Sequence, residues 1–215
     1  MDHNLTELVF ILDKSGSMAG LETDTIGGFN ALIGKQKKEQ GDVNVTTVLF
    51  NHHYELLHDR IPIEGISPIT DREYEVGGTT ALLDAIGATI NKIGNAQKRT
   101  KEEHRAGKVM VVITTDGMEN ASCEYKYDQI RAMIERQKSA FDWEFIFMGA
   151  NIDAVATARS FGIHEDFAVN YHADEVGTDL NFTVMSETIS TVRKGRKLDR
   201  NWKRDIEADF ERRKR

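Results

Sequence analysis

Six short apolar runs follow one another along the sequence, most of them separated by amphipathic stretches, and this alternation constrains the fold most strongly. The strand candidates are ELVFIL, VNVTTVLFN, HYELLHDRIPI, KVMVVITTDG, WEFIFMGA and DFAVNY. Strands that alternate with helices predict a doubly wound α/β fold, with a mostly parallel six-stranded sheet and helices on both faces. A tight NHH turn joins the second run to the third, and Pro62 lacks the N–H that a central strand needs. We therefore expect one antiparallel strand at the sheet edge.

Composition narrows the class of protein. The chain has 215 residues, 40% of them hydrophobic, and contains only two prolines. We see no linker, and expect one domain over residues 1–192. The net charge of −7 argues against a nucleic-acid-binding protein. Cys123 is the only cysteine, no apolar segment is long enough for a membrane span, and the acidic N-terminus lacks a signal peptide. These features predict a cytoplasmic protein.

The last 23 residues, 193–215, differ from the rest in charge. They contain 11 Lys and Arg against 5 Asp and Glu, so this tail is basic in an acidic protein. Trp202, Ile206 and Phe210 are spaced four apart, which predicts a helix with a narrow apolar stripe. The stripe is consistent with a helix that packs on its own domain or with one that binds a partner. Contact with a membrane or nucleic acid is disfavoured, because acidic residues interrupt the basic ones.

Three small oxygen-bearing side chains follow the first strand candidate at alternate positions. They are Asp13, Ser15 and Ser17 in the segment DKSGS, and side chains at this spacing can converge on one point. Oxygen ligands suit hard cations such as Mg²⁺, Mn²⁺ or Ca²⁺. The segment is therefore a candidate half of a metal site, although Asp and Ser are also common where a helix begins.

Two other segments offer the remaining oxygen ligands. Thr79 and Thr80 follow a Gly-Gly pair directly before a helical pattern, and Thr115, Asp116 and Glu119 follow the fourth strand candidate. In a doubly wound sheet of order 3-2-1-4-5-6, the first and fourth strands are neighbours, and ligands bind beyond their carboxyl ends. We therefore expect the polar segments after these two strands to face each other.

At these residues the sequence resembles the von Willebrand factor A domain family, which includes the I domains of integrins. The family's metal ion-dependent adhesion site (MIDAS) consists of D-x-S-x-S, a threonine in a later loop, and an aspartate usually followed by glycine. The matching residues here are Asp13, Ser15, Ser17, Thr79 and Asp116, and the resemblance covers about residues 5–192. Thr79 is preferred to Thr80 because the family threonine usually follows the G-x pair directly. The resemblance implies a Rossmann-like fold.

The resemblance also implies a function. A MIDAS holds one divalent cation, here expected to be Mg²⁺, or else Mn²⁺ or Ca²⁺, and leaves a coordination position open for an Asp or Glu of a protein partner. Because the chain lacks an export signal, it looks like the intracellular prokaryotic members, some of which serve AAA+ ATPases or the assembly of complexes. Glu119 and Asn120 follow the last metal ligand, and we expect them at the rim that touches the partner.

Other interpretations of the motif are weaker. An EF-hand loop that begins at Asp13 would need glycine where Met18 stands, and no P-loop or G-x-S-x-G motif is present. A metal-dependent hydrolase or phosphatase remains an alternative, since an open metal position can activate water. A domain whose metal only stiffens the loops is the other alternative. We expect no enzymatic activity.

Overall fold

The computed structural model describes residues 1–214 and contains one six-stranded sheet. The strands are β1 (Asp2–Asp13), β2 (Asp42–Phe50), β3 (Tyr54–Pro62), β4 (Ala106–Thr115), β5 (Glu144–Ala150) and β6 (Ala168–Tyr171). The helices are α1 (Glu22–Gln36), α2 (Leu82–Arg99), α3 (Tyr127–Phe141), α4 (Ala154–Ser160), α5 (Glu175–Arg193) and α6 (Arg204–Arg213). The predicted tail ends at residue 215, which lies outside the described residues.

The sheet has the strand order β3-β2-β1-β4-β5-β6, and all neighbouring strands are parallel except β2 and β3. This order reverses between β1 and β4, so these two strands form the switch point of a doubly wound sheet. The predicted α/β fold with one antiparallel edge strand is confirmed. Pro62 is the last residue of the edge strand β3, where the pairing with β2 ends.

Helices cover both faces of the sheet and form two hydrophobic cores. Alternate residues of β1 face opposite sides: Leu8 and Phe10 point into the core beneath α1 and α5, whereas Val9 and Ile11 point into the core beneath α2 and α3. All four side chains are completely buried. Burial on both faces explains why β1 reads as a continuous apolar run instead of an alternating one.

The basic tail packs on the domain. The Trp202 indole donates to the carbonyl of Asp166 at 2.8 Å, and the Lys203 ammonium donates to the carbonyl of Ala168 at 2.8 Å. Ile206 is 2% exposed, and the Arg213 guanidinium binds the Asp174 carboxylate at the start of α5. Of the two arrangements expected for the apolar stripe, the structure therefore shows a helix that packs on its own domain. No helix within residues 1–214 has both the length and the apolar character needed to cross a bilayer.

Candidate metal centre

The D-x-S-x-S segment turns sharply as it leaves β1. Asp13 is the last residue of β1, and its carboxylate Oδ1 accepts the backbone N–H of Ser15 at 2.7 Å. A turn is stabilised when an aspartate carboxylate accepts a hydrogen bond in this way from the backbone N–H two residues further on. The Ser15 and Ser17 hydroxyls then lie on the same side of the chain, with their oxygens 3.0 Å apart. The two hydroxyls are therefore held together at the carboxyl end of β1.

The threonine loop packs against this turn through the main chain. The N–H of Gly16 donates to the carbonyl of Gly78 at 3.0 Å, and the N–H of Gly77 donates to the carbonyl of Lys14 at 2.9 Å. Gly78 has φ +78°, and a Cβ there would lie 2.2 Å from Nδ1 of His52. The left-handed φ favours glycine at this position, which accounts for the second glycine of the Gly-Gly pair.

Thr79 and Thr80 occupy different environments. Thr79 is exposed, whereas Thr80 is 3% exposed. A Cβ added to Gly117 would lie 3.0 Å from the hydroxyl oxygens of both Thr80 and Ser17, and 3.6 Å from that of Ser15. The hydroxyls of Ser15, Ser17 and Thr80 therefore surround one small space over Gly117. Of the two threonines, Thr80 is the one whose hydroxyl lies beside those of the two serines. The assignment of Thr79 from the sequence stays a prediction, and the geometry favours its neighbour.

Asp116 follows β4 and brings a carboxylate to the same space. It is 2% exposed, and neither carboxylate oxygen has a hydrogen-bond partner of regular geometry within residues 1–214. Burial raises the pKa of Asp116 above its ordinary value, although the Ser17 hydroxyl and the backbone N–H of Asp116 oppose the rise. A buried carboxylate without partners is strongly disfavoured unless a positive charge compensates it.

Asp13 is the second buried carboxylate at this edge of the sheet, at 1% exposure. Burial raises its pKa to about 6, although hydrogen bonds from Thr115 and Ser15 oppose the rise. The Tyr74 hydroxyl donates to the main-chain carbonyl of Asp13 and fixes the end of β1. No lysine, arginine or histidine forms an ion pair with Asp13 or Asp116 in the part of the chain that the structure describes.

These groups fit a divalent cation. The site combines two buried carboxylates that lack cationic partners, three converging hydroxyls, and a space that a single Cβ would fill. All of the possible metal ligands are oxygen atoms, which hard cations prefer. Ser15, Ser17, Thr79, Thr80 and Asp116 all line an open cleft of about 360 Å³. The arrangement can hold a cation and leave it accessible from solution.

The two residues expected at the partner rim have internal contacts. The Glu119 carboxylate accepts the backbone N–H groups of Leu83, Ala121 and Ser122 at 2.9, 2.9 and 2.7 Å, so it fixes the start of α2. Asn120 lines the cleft, and its Oδ1 accepts the N–H of Thr80 at 2.9 Å. Glu119 therefore has little capacity left for a partner, whereas the exposed Asn120 lies at the mouth of the site.

Two residues at the mouth were not singled out from the sequence. Met118 is 71% exposed, and Asn151, just after β5, has φ +55°. Both line the cleft. Met118 could have been noticed as an apolar residue directly after the D-G pair, but Asn151 reaches the site only because β5 lies beside β4.

Comparison with solved structures identifies the fold. TRAP protein of Plasmodium vivax, in a manganese-loaded structure, matches with a TM-score of 0.58 and 18% identity over 83% of this chain and 72% of that chain. Von Willebrand factor type A from Catenulispora acidiphila matches with a TM-score of 0.57 and 15% identity over 85% and 42%. Proximal thread matrix protein 1 from the mussel byssus, with zinc in its MIDAS motif, matches with a TM-score of 0.56 and 13% identity over 87% and 46%.

The chain has the fold of von Willebrand factor A domains, as the resemblance in the sequence implied. It spans less than half the length of the Catenulispora and mussel chains. No protein-family model matches the sequence, and a search of curated proteins gives no match.

Proposed function

We propose that this protein is a divalent-metal-dependent protein–protein interaction module that recognises an acidic residue of its partner. The observation that carries the proposal is the Asp116 carboxylate, which is buried beside three hydroxyls and has no cationic partner among residues 1–214. A bound divalent cation would supply the charge that this carboxylate lacks. The manganese in the TRAP structure and the zinc in the mussel protein support a divalent metal in this kind of site.

Each residue has a distinct role in the proposed site. Ser15, Ser17 and Thr80 would hold the cation through neutral hydroxyls, so that the ion keeps most of its charge for a partner. Asp116 would compensate part of that charge directly. Asp13, whose carboxylate already accepts bonds from Ser15 and Thr115, would act mainly by fixing the turn and by its negative charge. Mg²⁺ is the proposed ion because hard oxygen ligands suit it, with Mn²⁺ or Ca²⁺ as substitutes.

The mouth of the site suits a protein ligand. The cleft is open, and Met118 offers an exposed apolar side chain beside the polar groups. A carboxylate of the partner would reach the cation, while its neighbouring residues would pack on Met118. Coordination of a hard cation by an incoming carboxylate is strong and geometrically selective. An AAA+ ATPase or a complex under assembly in the cytoplasm is the partner that the sequence resemblance suggests.

The enzymatic alternative finds no support at Glu119, the residue close to the motif in sequence that could serve as a general base. Glu119 is the acidic residue nearest in sequence to the site, but its carboxylate accepts hydrogen bonds from the Ala121, Ser122 and Leu83 backbone. A carboxylate held this way is poorly placed to take a proton from water. A metal that only stiffens the loops remains the second alternative, and it differs from our proposal in leaving partner capture unchanged.

The test compares capture of proteins from native lysate by four immobilised samples. They are the wild type with Mg²⁺, the wild type with EDTA, Ser15→Ala/Ser17→Ala with Mg²⁺, and the matched control Ser139→Ala with Mg²⁺. Ser139 is exposed on α3, and its hydroxyl bonds only within that helix. We expect a partner retained by the wild type and the control with Mg²⁺ and by neither of the others. Identical eluates from all four samples would contradict the proposal.

A further inference from the structure

A second cleft lies near the amino ends of β4 and β5, whereas the candidate metal centre lies at the carboxyl ends of the strands. It is formed by the last turns of α2 and α3 together with Arg105 and Trp143, which directly precede β4 and β5. Asp13 and Asp116 lie at the other, carboxyl ends of β1 and β4. The cleft encloses about 360 Å³, within the range of about 300–1,000 Å³ that is usual for small-molecule sites.

Three cationic side chains line this cleft in a protein whose net charge is −7. They are Lys98, Arg105 and Arg136, and none forms an ion pair with a residue in the range 1–214. Gln97 of the lining also donates to the buried Glu7, whose charge is already paired with Arg60 at 3.0 Å. The excess positive charge of the cleft is thus left for a ligand.

Two buried polar atoms of the lining lack partners within the described chain. Arg105 donates through Nη2 to the carbonyl of Thr100 at 3.1 Å, but its buried Nε–H donates to nothing. Gln97 is 7% exposed and donates through Nε2 to Glu7, while its buried Oε1 accepts nothing. Both atoms have almost no surface open to solvent, so a ligand in the cleft would meet the rest of the Arg105 guanidinium and not these two atoms.

Aromatic side chains complete the lining. Phe141 is 55% exposed at the end of α3, which is unusual for a side chain of this size. Trp143 is 5% exposed and lies two residues further on. Flat apolar faces next to convergent polar groups are typical of sites for ring-containing ligands.

We propose that this cleft, lined by Gln97, Lys98, Arg105, Arg136, Phe141 and Trp143, binds a small aromatic anion. The three cationic side chains attract the anionic group, and the ring packs against Phe141 and Trp143. The cleft is separate from the metal centre, so the inference stands or falls independently of the proposed function.

The test uses two aromatic anions, AMP and 4-aminobenzoate, with adenosine and 4-aminobenzamide as their uncharged counterparts. Binding is followed by NMR through the two indole N–H signals, of Trp143 in the cleft and of Trp202 on the tail, which Trp202→Phe assigns. At least one anion should shift the Trp143 signal saturably and leave the Trp202 signal in place. Its uncharged counterpart should bind at least about tenfold more weakly, because it lacks the charge-assisted bonds.

Variants separate the cleft from general charge effects. Arg105→Gln should weaken binding at least about tenfold, and Lys98→Gln/Arg136→Gln, which changes only exposed positions, should weaken it without affecting folding. The matched control is Lys126→Gln, an exposed lysine just before α3, where α3 is farthest from the cleft. No saturable shift with either anion, equal binding of the uncharged counterparts, or equal loss in the Lys126→Gln control would each overturn the proposal.

Discussion

Thr80 and Asn120 are joined by two hydrogen bonds that link the threonine loop to the loop after β4. The Thr80 N–H donates to Asn120 Oδ1 at 2.9 Å, and the Asn120 N–H donates to the Thr80 carbonyl at 3.0 Å. The pair fixes the Thr80 backbone so that its hydroxyl lies near those of Ser15 and Ser17. Thr79, one residue earlier, is exposed. The structure thus gives a physical reason to distinguish two adjacent threonines.

The first prediction concerns these two threonines. Thr80→Ala should weaken Mg²⁺ binding at least about tenfold, equivalent to about 1.4 kcal/mol, because it removes a hydroxyl from the space over Gly117. Thr79→Ala is the matched control and should leave the affinity unchanged. Calorimetric titration with Mg²⁺ measures both. A large loss in Thr79→Ala with none in Thr80→Ala would restore the assignment made from the sequence.

A second prediction follows from the partnerless carboxylate of Asp116. In EDTA, Asp116→Asn should raise the free energy of unfolding by about 1 kcal/mol, because it removes a buried charge that nothing compensates. The same variant should lose the stabilisation that Mg²⁺ gives the wild type. Urea unfolding with and without Mg²⁺ measures both effects.

Asp13→Asn provides the contrast to this second prediction. The Asp13 carboxylate accepts bonds from the Ser15 N–H and the Thr115 hydroxyl, and the loss of one of these bonds offsets the relief of its buried charge, so Asp13→Asn should raise the stability in EDTA less than Asp116→Asn does. If both variants were destabilised to the same extent in EDTA, Asp116 would have a partner that we have not identified.

The sheet could be predicted from the sequence because each strand is a short apolar run bounded by polar turns. Strand order followed from a general rule of doubly wound folds, and Pro62 marked the edge. The convergence of Asp13 and Asp116 followed from that order. The D-x-S-x-S spacing then defined the kind of site.

Finer features of the site depend on contacts that no local pattern encodes. The choice between Thr79 and Thr80 depends on how Gly77 and Gly78 pack on the turn at Lys14 and Gly16. Likewise, Glu119 looked like a rim residue because it follows Asp116 closely. Its carboxylate instead turns inward to the start of α2, a contact between segments about 36 residues apart.

A third prediction concerns Glu119. Glu119→Ala should lower the free energy of unfolding by about 1–3 kcal/mol, because it leaves several backbone N–H groups without an acceptor. Mg²⁺ affinity should change little in this variant, since the carboxylate points away from the hydroxyls. Thermal unfolding and Mg²⁺ titration on the same preparation separate the two effects. Loss of Mg²⁺ binding in a variant of unchanged stability would place Glu119 in the metal centre after all.

Arg213 is the subject of the fourth prediction. Its Nε donates to Asp209 at 2.8 Å, and its guanidinium also binds Asp174 at the start of α5, so it ties α6 to the domain. Arg213→Ala should therefore lower the free energy of unfolding by about 1.5–3 kcal/mol. Arg204→Ala is the control, because Arg204 is exposed and, among residues 1–214, pairs only with its neighbour Asp205. Equal effects of the two variants would show that the tail is not fastened at this point.

The last prediction concerns the pH dependence of the same contact. Asp209 is 7% exposed, and hydrogen bonds from Arg213, and then from Arg212, hold the pKa of its carboxyl below the ordinary value. A lowered pKa in the folded protein contributes stability above the unfolded-state value of about 3.9, and this contribution disappears as the pH falls through the folded-state value. The wild type should therefore exceed Asp209→Asn in stability at pH 6, and the difference should shrink below about pH 4. Urea unfolding of both proteins between pH 6 and pH 3 measures it, and a difference that stayed constant would mean that Asp209 packs on the domain without using its charge.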